Sequence, residues 1–435
     1  ERKMNNHEVC SDSDEEVEFD EFDAPWNPEE DRGSCAGTTA PKKSKKTKKM
    51  SPKIISVWNF KGGVGKTTTS FSIGYALARM GHNVMFVDAD PQMNLTNTAI
   101  RYDLHRQDSD EKSLFARLRE LDTEGACNLT DAFTPVITGK DALHVNLVKL
   151  SVAEGEQDNG TNNDTVGALY LLRGSNEMME LTDVDERVGE GYRESKDNRQ
   201  NYPGAIYHIV SETAKLYECD YVVVDCCPAC TPLTRTLLFS SNSFLMPCKA
   251  DGFSIQALEI LSVKMKDWFK QYCDFRRDTD ATARYKLPKH DVKFAGCTLI
   301  GTNADAKHGP ENSRPMKKMI QEIIVARDKL RDGLPAALKC DDAVDGWAAV
   351  FPNTYQLGLI AQRSSVPAPY LPDSYLKEMH NGAWRNMNKT NRKRTQKNRE
   401  TQRDAIDGLV ARLLPVTNYS QDIVEVEPAG KRVRH

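Results

Sequence analysis

Residues 53–94 read KIISVWNFKGGVGKTTTSFSIGYALARMGHNVMFVDADPQMN, and the fold is decided in this stretch. KIISVWNF, residues 53–60, is a short apolar run that predicts a buried strand. KGGVGKTT, residues 61–68, is a glycine-rich turn with two lysines, Lys61 and Lys66. In the following segment Phe71, Ile73, Ala76, Leu77 and Met80 recur at helical spacing, and Gly81 marks a stop. NVMFVDAD, residues 83–90, is a second buried strand ending in acids. Strand, loop, helix and strand in that order describe a βαβ unit on a parallel sheet.

Working outward, the spacing predicts a helix in 111–121 and a strand in 142–150. A strand running into a helix start is expected over 168–181, and a helix over 204–217. Strands over 221–225 and 243–247 each lead into a helix. A further strand lies in 292–305, a long amphipathic helix over 314–333 and the last strand in 348–357. The fold class expected is α/β, a three-layer fold with a mostly parallel sheet between helices. Its domain spans 53–380, with polar insertions near 153–165 and 188–203. An acidic then lysine-rich tail fills 1–52, a basic then amphipathic segment 381–415, and a tail 416–435.

Hydrophobic residues are 39% of the 435, against about 45–50% in typical globular chains, as expected of a core diluted by polar tails and insertions. No run approaches the ~18 apolar residues of a membrane span, and no charged-then-apolar secretory signal opens the sequence. Eleven cysteines, an odd number without a spaced framework, fit reduced thiols inside a cell. Cys227-Pro-Ala-Cys230, directly after Cys226, has the form of a redox pair or half a zinc site. No second C-x-x-C or histidine pair completes either signature.

The chemistry begins at the loop, a form of the G-x-x-x-x-G-K-T phosphate turn. Gly62, Gly63, Val64 and Gly65 let backbone N–H groups curl around phosphates at a helix N-terminus. Lys66 would bridge the β- and γ-phosphates of ATP, Thr67 would offer its hydroxyl to Mg2+, and Thr68 completes the turn. Asp88 and Asp90 end the next strand, where open parallel sheets bind ligands. Asp225 ends a third strand, YVVVD. Alone it reads equally as a turn former; beside the loop it reads as a metal-side carboxylate.

With these motifs in place, the chain resembles the ParA/MinD family of deviant P-loop ATPases, and ParA more than MinD. KGGVGKTT matches that family's loop, and VDADPQMNLT is similar to its switch segment, commonly D-x-D-P-Q-G-N-x-T, with Met93 in place of the glycine. YVVVDCCPAC is similar to Y-x-x-x-D-C-P-P-S, with Cys227 in place of a proline. The similarity covers about residues 53 to 365. The resemblance implies Mg2+-dependent hydrolysis of ATP within a nucleotide-sandwich homodimer. Lys61 becomes the signature lysine that contacts phosphate across the dimer. Lys66 and Asp90 join it as catalytic residues, Asp90 orienting the attacking water. Asp88 and Asp225 support magnesium through water, beside Thr67. Asn303 falls where relatives contact adenine, while the family's adenine-side Pro–Arg has no clean counterpart in VFPNTYQLG.

Two basic tracts remain. PKKSKKTKKMSPK, residues 41–53, is either a solvated tail or a nuclear-import-like or DNA-phosphate patch. Arg385, Lys389, Arg392, Lys393, Arg394, Lys397, Arg399 and Arg403 form either a solvated helix face or a contact for DNA phosphates without sequence preference. The resemblance favours DNA and adds a ParB-like adaptor that stimulates release, in a cytoplasmic, nucleoid-associated setting. The lysine-rich tail leaves a nuclear or viral-host compartment open. A MinD-like membrane cycle is the alternative, although Asp404 and Asp407 interrupt the C-terminal amphipathic face. An electron-transfer or metal-carrier relative would need cluster cysteines that only 226–230 could offer, and a non-enzymatic scaffold would not need Asp90.

Overall fold

The computed structural model describes residues 51–106, 113–139, 145–152, 166–178, 200–302, 314–340, 347–352, 367–371, 376–380 and 383–419. Residues 1–50 of the acidic and lysine-rich tail, the insertion at 153–165, residues 188–199 of the second insertion and Asn303 lie outside the described residues.

Strand β1 (Lys53–Val57) leads through the glycine loop into helix α1 (Lys66–Arg79), which returns to β2 (Val84–Ala89). Then come α2 (Asn94–Arg106), α3 (Leu114–Thr123), α4 (Leu129–Ile137), β3 (Val148–Leu150) and β4 (Leu169–Leu172). The second half runs α5 (Ala205–Leu216), β5 (Tyr221–Cys226), α6 (Pro232–Ser240), β6 (Ser243–Lys249) and α7 (Gly252–Thr279). It continues with β7 (Lys293–Thr302), α8 (Arg314–Gly333), β8 (Ala349–Pro352), a hairpin of β9 (Lys377–His380) and β10 (Ala383–Asn386), and α9 (Lys389–Tyr419).

Eight strands form one sheet in the order β3-β4-β2-β5-β1-β6-β7-β8. All neighbours are parallel except β3, which runs antiparallel to β4 at the edge. The central strands are buried throughout, so IISV, VMFV and YVVV read as unbroken apolar runs. Side chains alternate between two cores. Ile54, Met85, Val87, Val222 and Val224 face one. Ile55, Val57, Phe86, Val223 and Leu245 face the other.

Helix α1 is buried along almost its whole length because the sheet covers one side and α9 the other. Phe71, Ile73, Ala76 and Leu77 are in the core as expected; Met80 is 47% exposed. Met80 closes the helix, and Gly81 follows at φ +89°, the left-handed turn that ends it.

The C-terminal segment forms α9, basic in its first half and amphipathic in its second as the sequence reads, and its apolar face is built into the core. Ile406, Leu409, Val410 and Leu413 are buried against α1 and the sheet, while Leu414 is half-buried. The helix continues through Pro415 to Tyr419, past the boundary read at 415/416, because Val416 and Thr417 are also core residues. Thr417 Oγ1 pairs with Ser243 Oγ at 2.8 Å. A short turn at Ala368–Tyr370 locks α9 onto α1: the Tyr370 ring lies 4.9 Å from Tyr75 and beside the guanidinium groups of Arg79 and Arg403. The strand expected to be last, β8, is followed by the β9–β10 hairpin, which spans the 380/381 boundary.

Candidate functional site

The site forms at the carboxyl ends of β1, β2 and β5. Register sets it: Val57 and Asp88 both lie opposite Asp225 on neighbouring parallel strands. One layer of the sheet therefore delivers the start of the glycine loop and two aspartates to the same place.

Gly65 caps α1 without a side chain, at φ +89°, and a Cβ there would sit 2.7 Å from Ile300. Only glycine allows both the left-handed turn and that close approach. Thr67, in the first turn of α1, donates to Asp225 Oδ2 at 2.7 Å. Ser70 donates to Asp225 Oδ1 at 3.0 Å. Asp225 is 1% exposed. Burial first, then the charge of Asp88, pushes its pKa up to about 7, against the pull of the two hydroxyls and Lys66.

Lys66 is buried, which lowers its pKa, with Asp225 and Asp90 pulling the other way. Its ammonium folds back onto the carbonyl of Lys61 at 3.1 Å, across the turn that the glycines enclose. Thr68, Gly62 and Gly63 are exposed at the mouth and Val64 is buried beneath it.

Asp88 is fully buried, and its oxygens accept from Asp90 N at 3.2 Å and Thr96 N at 2.7 Å. Burial raises its pKa to about 6, and those N–H groups temper the rise. Its place is beneath the turn that leads into α2, holding that turn in shape. Gly174, after β4, closes on it so tightly that a Cβ would lie 3.0 Å from the carboxyl carbon. Asp90 accepts from Gln92 N at 3.0 Å, and Met93 N donates to the Asp90 carbonyl at 2.8 Å. Met93, the residue standing where the ParA-type switch has glycine, holds φ +53°, a conformation that disfavours side chains.

Lys61 is drawn away from its own loop. Its ammonium is 2.5 Å from Asp251 Oδ2 and 5.4 Å from the centre of the Phe253 ring. Asp251 also caps α7, accepting from Ser254 N at 2.8 Å. Burial alone would raise the Asp251 pKa; the Lys61 hydrogen bond and the Ser254 N–H outweigh it and hold it low. Asn59 braces the loop base, accepting from Lys61 N at 2.9 Å and donating to the Pro247 carbonyl at 2.6 Å.

The structure thus brings together Lys61, Lys66, Thr67, Asp88, Asp90 and Asp225. Ser70 and Asp251 were not read from the sequence. Ser70 is legible in hindsight, three residues after Thr67 on one helix face; Asp251 is 190 residues from Lys61 and carries no local signal. Among the described residues no group of three or more His, Cys, Asp or Glu could cage a metal. Mg2+ takes one or two protein oxygens and completes its shell with phosphate and water. Thr67 and Asp225 supply such hard oxygens at the loop.

On α9, Lys389, Arg392, Lys393, Arg394 and Lys397 are exposed. Arg399 is half-buried and donates to the Leu371 carbonyl at 2.6 Å, and Arg403 to the Pro369 carbonyl at 3.2 Å. Arg385 is on β10, and its side chain is outside the described residues.

A parallel sheet whose first strand enters a helix through a glycine loop, with a loop threonine bonded to the aspartate of a neighbouring strand, defines a P-loop nucleotide-binding protein. The chain belongs to the AAA_31 family, described as an AAA domain, whose model matches residues 52–274. Within the P-loop proteins it is of the ParA/MinD group with the deviant, two-lysine loop. It is 28% identical over 209 residues to the sporulation initiation inhibitor protein Soj of Bacillus subtilis, covering 48% of this chain and 63% of Soj. It is 52% identical over 42 residues to the chromosome partitioning protein ParA of Caulobacter vibrioides, 10% of this chain and 16% of that protein. The crystal structure of protein DIP2308 from Corynebacterium diphtheriae shares the fold at TM-score 0.50 and 16% identity, covering 84% of this chain and 98% of that one. The chain spans less than two thirds of the length of the curated relatives it matches over most of the family region.

Proposed function

We propose that this chain is a Mg2+-dependent ATPase of the partitioning type. ATP drives a sandwich homodimer, the dimer holds non-specific DNA, and hydrolysis stimulated by a ParB-like adaptor releases it. The observation that carries this reading is the pair of lysines at one loop with different partners. Lys66 lies over its own loop, while Lys61 is held off it by Asp251.

Phosphoryl transfer to water needs charge neutralisation and an in-line water more than covalent chemistry. Lys66 would meet the β- and γ-phosphates, Thr67 with Asp225 behind it would hold Mg2+, which would neutralise phosphate charge, and Asp90 would orient the water. Lys61 released from Asp251 supplies the second cation to the neighbour's nucleotide. A cation supplied in this way is worth about 10³–10⁵ in rate in GTPases. A monomer lacking it hydrolyses slowly, so assembly gates turnover. Asp88 supports the turn that carries Asp90 rather than meeting the ion itself.

DNA contact falls to Lys389, Arg392, Lys393, Arg394 and Lys397, which are exposed on α9. Two copies in a dimer double that charge and steepen the salt dependence. Arg399 serves the fold by tying down residue 371. The apolar face of α9 belongs to the core, which argues against the MinD-like use of this helix as a membrane anchor. No helix among the described residues is long and apolar enough to cross a membrane. A cytoplasmic, DNA-associated location follows from the partitioning reading.

The test measures ATP turnover with and without plasmid DNA, and dimerisation by light scattering with ATP, for wild type and Lys61→Ala. Loss of both ATP-driven dimer and stimulated turnover in Lys61→Ala is expected. Unchanged dimerisation and turnover would refute the reading. Replacing Arg392, Lys393 and Arg394 together by Ala is expected to lower DNA affinity uniformly across sequences and flatten its salt slope by about 3.

A further inference from the structure

The loop that joins β5 to α6 holds a feature that nucleotide chemistry does not use. Cys227-Pro-Ala-Cys230 starts two residues after Asp225 and ends just before Thr231, the residue that caps α6. The chain bends at Pro228 and Ala229, between the two cysteines. A disulfide needs Cα atoms about 4.4–6.8 Å apart, a separation that a bent C-x-x-C can reach. Cys227 and Cys230 are both free thiols, and Cys227 is close enough to act electrostatically on Cys230.

Their surroundings differ in a useful way. Cys227 is 8% exposed, and its sulfur is 3.4 Å from Thr234 Oγ1 in the first turn of α6. Thr234 in turn bonds the capping Thr231 through its N–H and its hydroxyl. Cys230 is half-buried and within reach of the positive charge of Arg235. One thiol is therefore open to a small reagent, and the second is sheltered behind it at a helix N-terminus. Cys227 also acts electrostatically on the ammonium of Lys66, so it borders the nucleotide loop.

We propose that Cys227 and Cys230 form a reversible disulfide that reports thiol redox state to the nucleotide loop. The oxidant is a small-molecule disulfide. The Cys230 sulfur, as thiolate, attacks one of its sulfurs, forms a mixed disulfide and expels a small thiolate. The Cys227 sulfur then attacks the Cys230 sulfur and expels the second. The two cysteines give up two electrons, the small disulfide is reduced to two thiols, and the cysteine protons go to the departing thiolates. Closing the bond pulls Cys227 off Thr234, so the β5–α6 loop shifts next to Asp225 and its bond to Thr67. Burial holds the Cys230 thiol up at about 11. Exchange is therefore slow at neutral pH and speeds up toward alkaline pH. The consequence for nucleotide rests on the ATP-binding reading above; the disulfide itself does not.

The experiment treats the full chain, natively folded, with oxidised glutathione, followed by alkylation, intact mass and peptide mapping. A loss of two hydrogens mapped to the Cys227–Cys230 peptide, reversed by reduced glutathione and absent in Cys230→Ser, is expected. Binding of a fluorescent ATP analogue should weaken about fivefold on oxidation, the size of one lost hydrogen bond, and stay unchanged in Cys230→Ser. No disulfide, or one mapped to another pair, overturns the proposal. A mapped disulfide with equal analogue affinity in both states overturns its link to the loop. Reduced wild-type protein that binds no analogue would count against the ATPase reading, while the mapped disulfide would stand.

Discussion

Replacing Asp251 by Asn isolates the restraint on Lys61. The charge that holds the ammonium at 2.5 Å disappears, while the amide oxygen can still accept from Ser254 N and keep α7 capped. Phe253 stays in place below the lysine. The side chains of the pair are 22% and 36% exposed, so water screens their attraction. Such an ion pair is worth about 1 kcal/mol or less. Released in full, that free energy shifts the equilibrium for Lys61 engaging a neighbour's phosphate by about fivefold. Each dimer releases two such lysines, so ATP-dependent dimerisation of Asp251→Asn, followed by sedimentation equilibrium at low salt, should tighten by up to about 25-fold over wild type, while the urea midpoint barely moves. Raising the salt should bring wild type toward the variant, because the ion pair weakens with screening. Equal or weaker dimerisation of the variant, with its stability intact, would show that Asp251 does not hold Lys61 back from the neighbour.

Other expectations follow from the same geometry. Met93 sits at φ +53°, so Met93→Gly should be more stable than Met93→Ala by about 0.5–1 kcal/mol. Elsewhere glycine would be the weaker of the two, and urea titration of both variants decides the sign. Asp225 and Asp88 have folded pKa values raised to about 7 and about 6, above their unfolded values. The folded protein therefore binds more protons than the unfolded chain between about pH 4 and 7, and stability falls as pH rises through that window by a few kcal/mol. Denaturant titrations of the nucleotide-free protein at pH 5 and pH 8 should show the fall, and Asp225→Asn should shrink it. A Cβ at Gly74 would lie 2.1 Å from the buried Phe86 ring. Gly74→Ala should thus lose about 1–3 kcal/mol by denaturant titration despite alanine's better helix propensity.

The sheet's central strands and α1 were legible because their signals are local. An apolar run between a turn and a charged end has one economical conformation, and a glycine loop between such a strand and an amphipathic run has one known use. The same reasoning located Lys66, Thr67 and Asp225, since each sits at a fixed offset from a strand end or the loop. Met80 keeps the helical spacing yet is exposed, because the helix closes there and the chain turns away at Gly81. The amphipathic half of the C-terminal segment was legible as a helix face, but what it packs on was not, since that depends on α1 and the sheet.

The sequence by itself determined the phosphate loop, the parallel α/β class and the presence of two lysines where one would bind phosphate. These are properties of short stretches, governed by backbone freedom at glycine and by side-chain periodicity. Tertiary structure alone decided what those groups do. It set Asp88 opposite Asp225 on adjacent strands, burying both carboxylates and raising their pKa values. It turned Asp88 toward the N–H groups of Asp90 and Thr96, and it placed Asp251 beside Lys61. Burial and through-space charge depend on what the fold brings near, and partners 137 and 190 residues apart leave no trace in either local pattern.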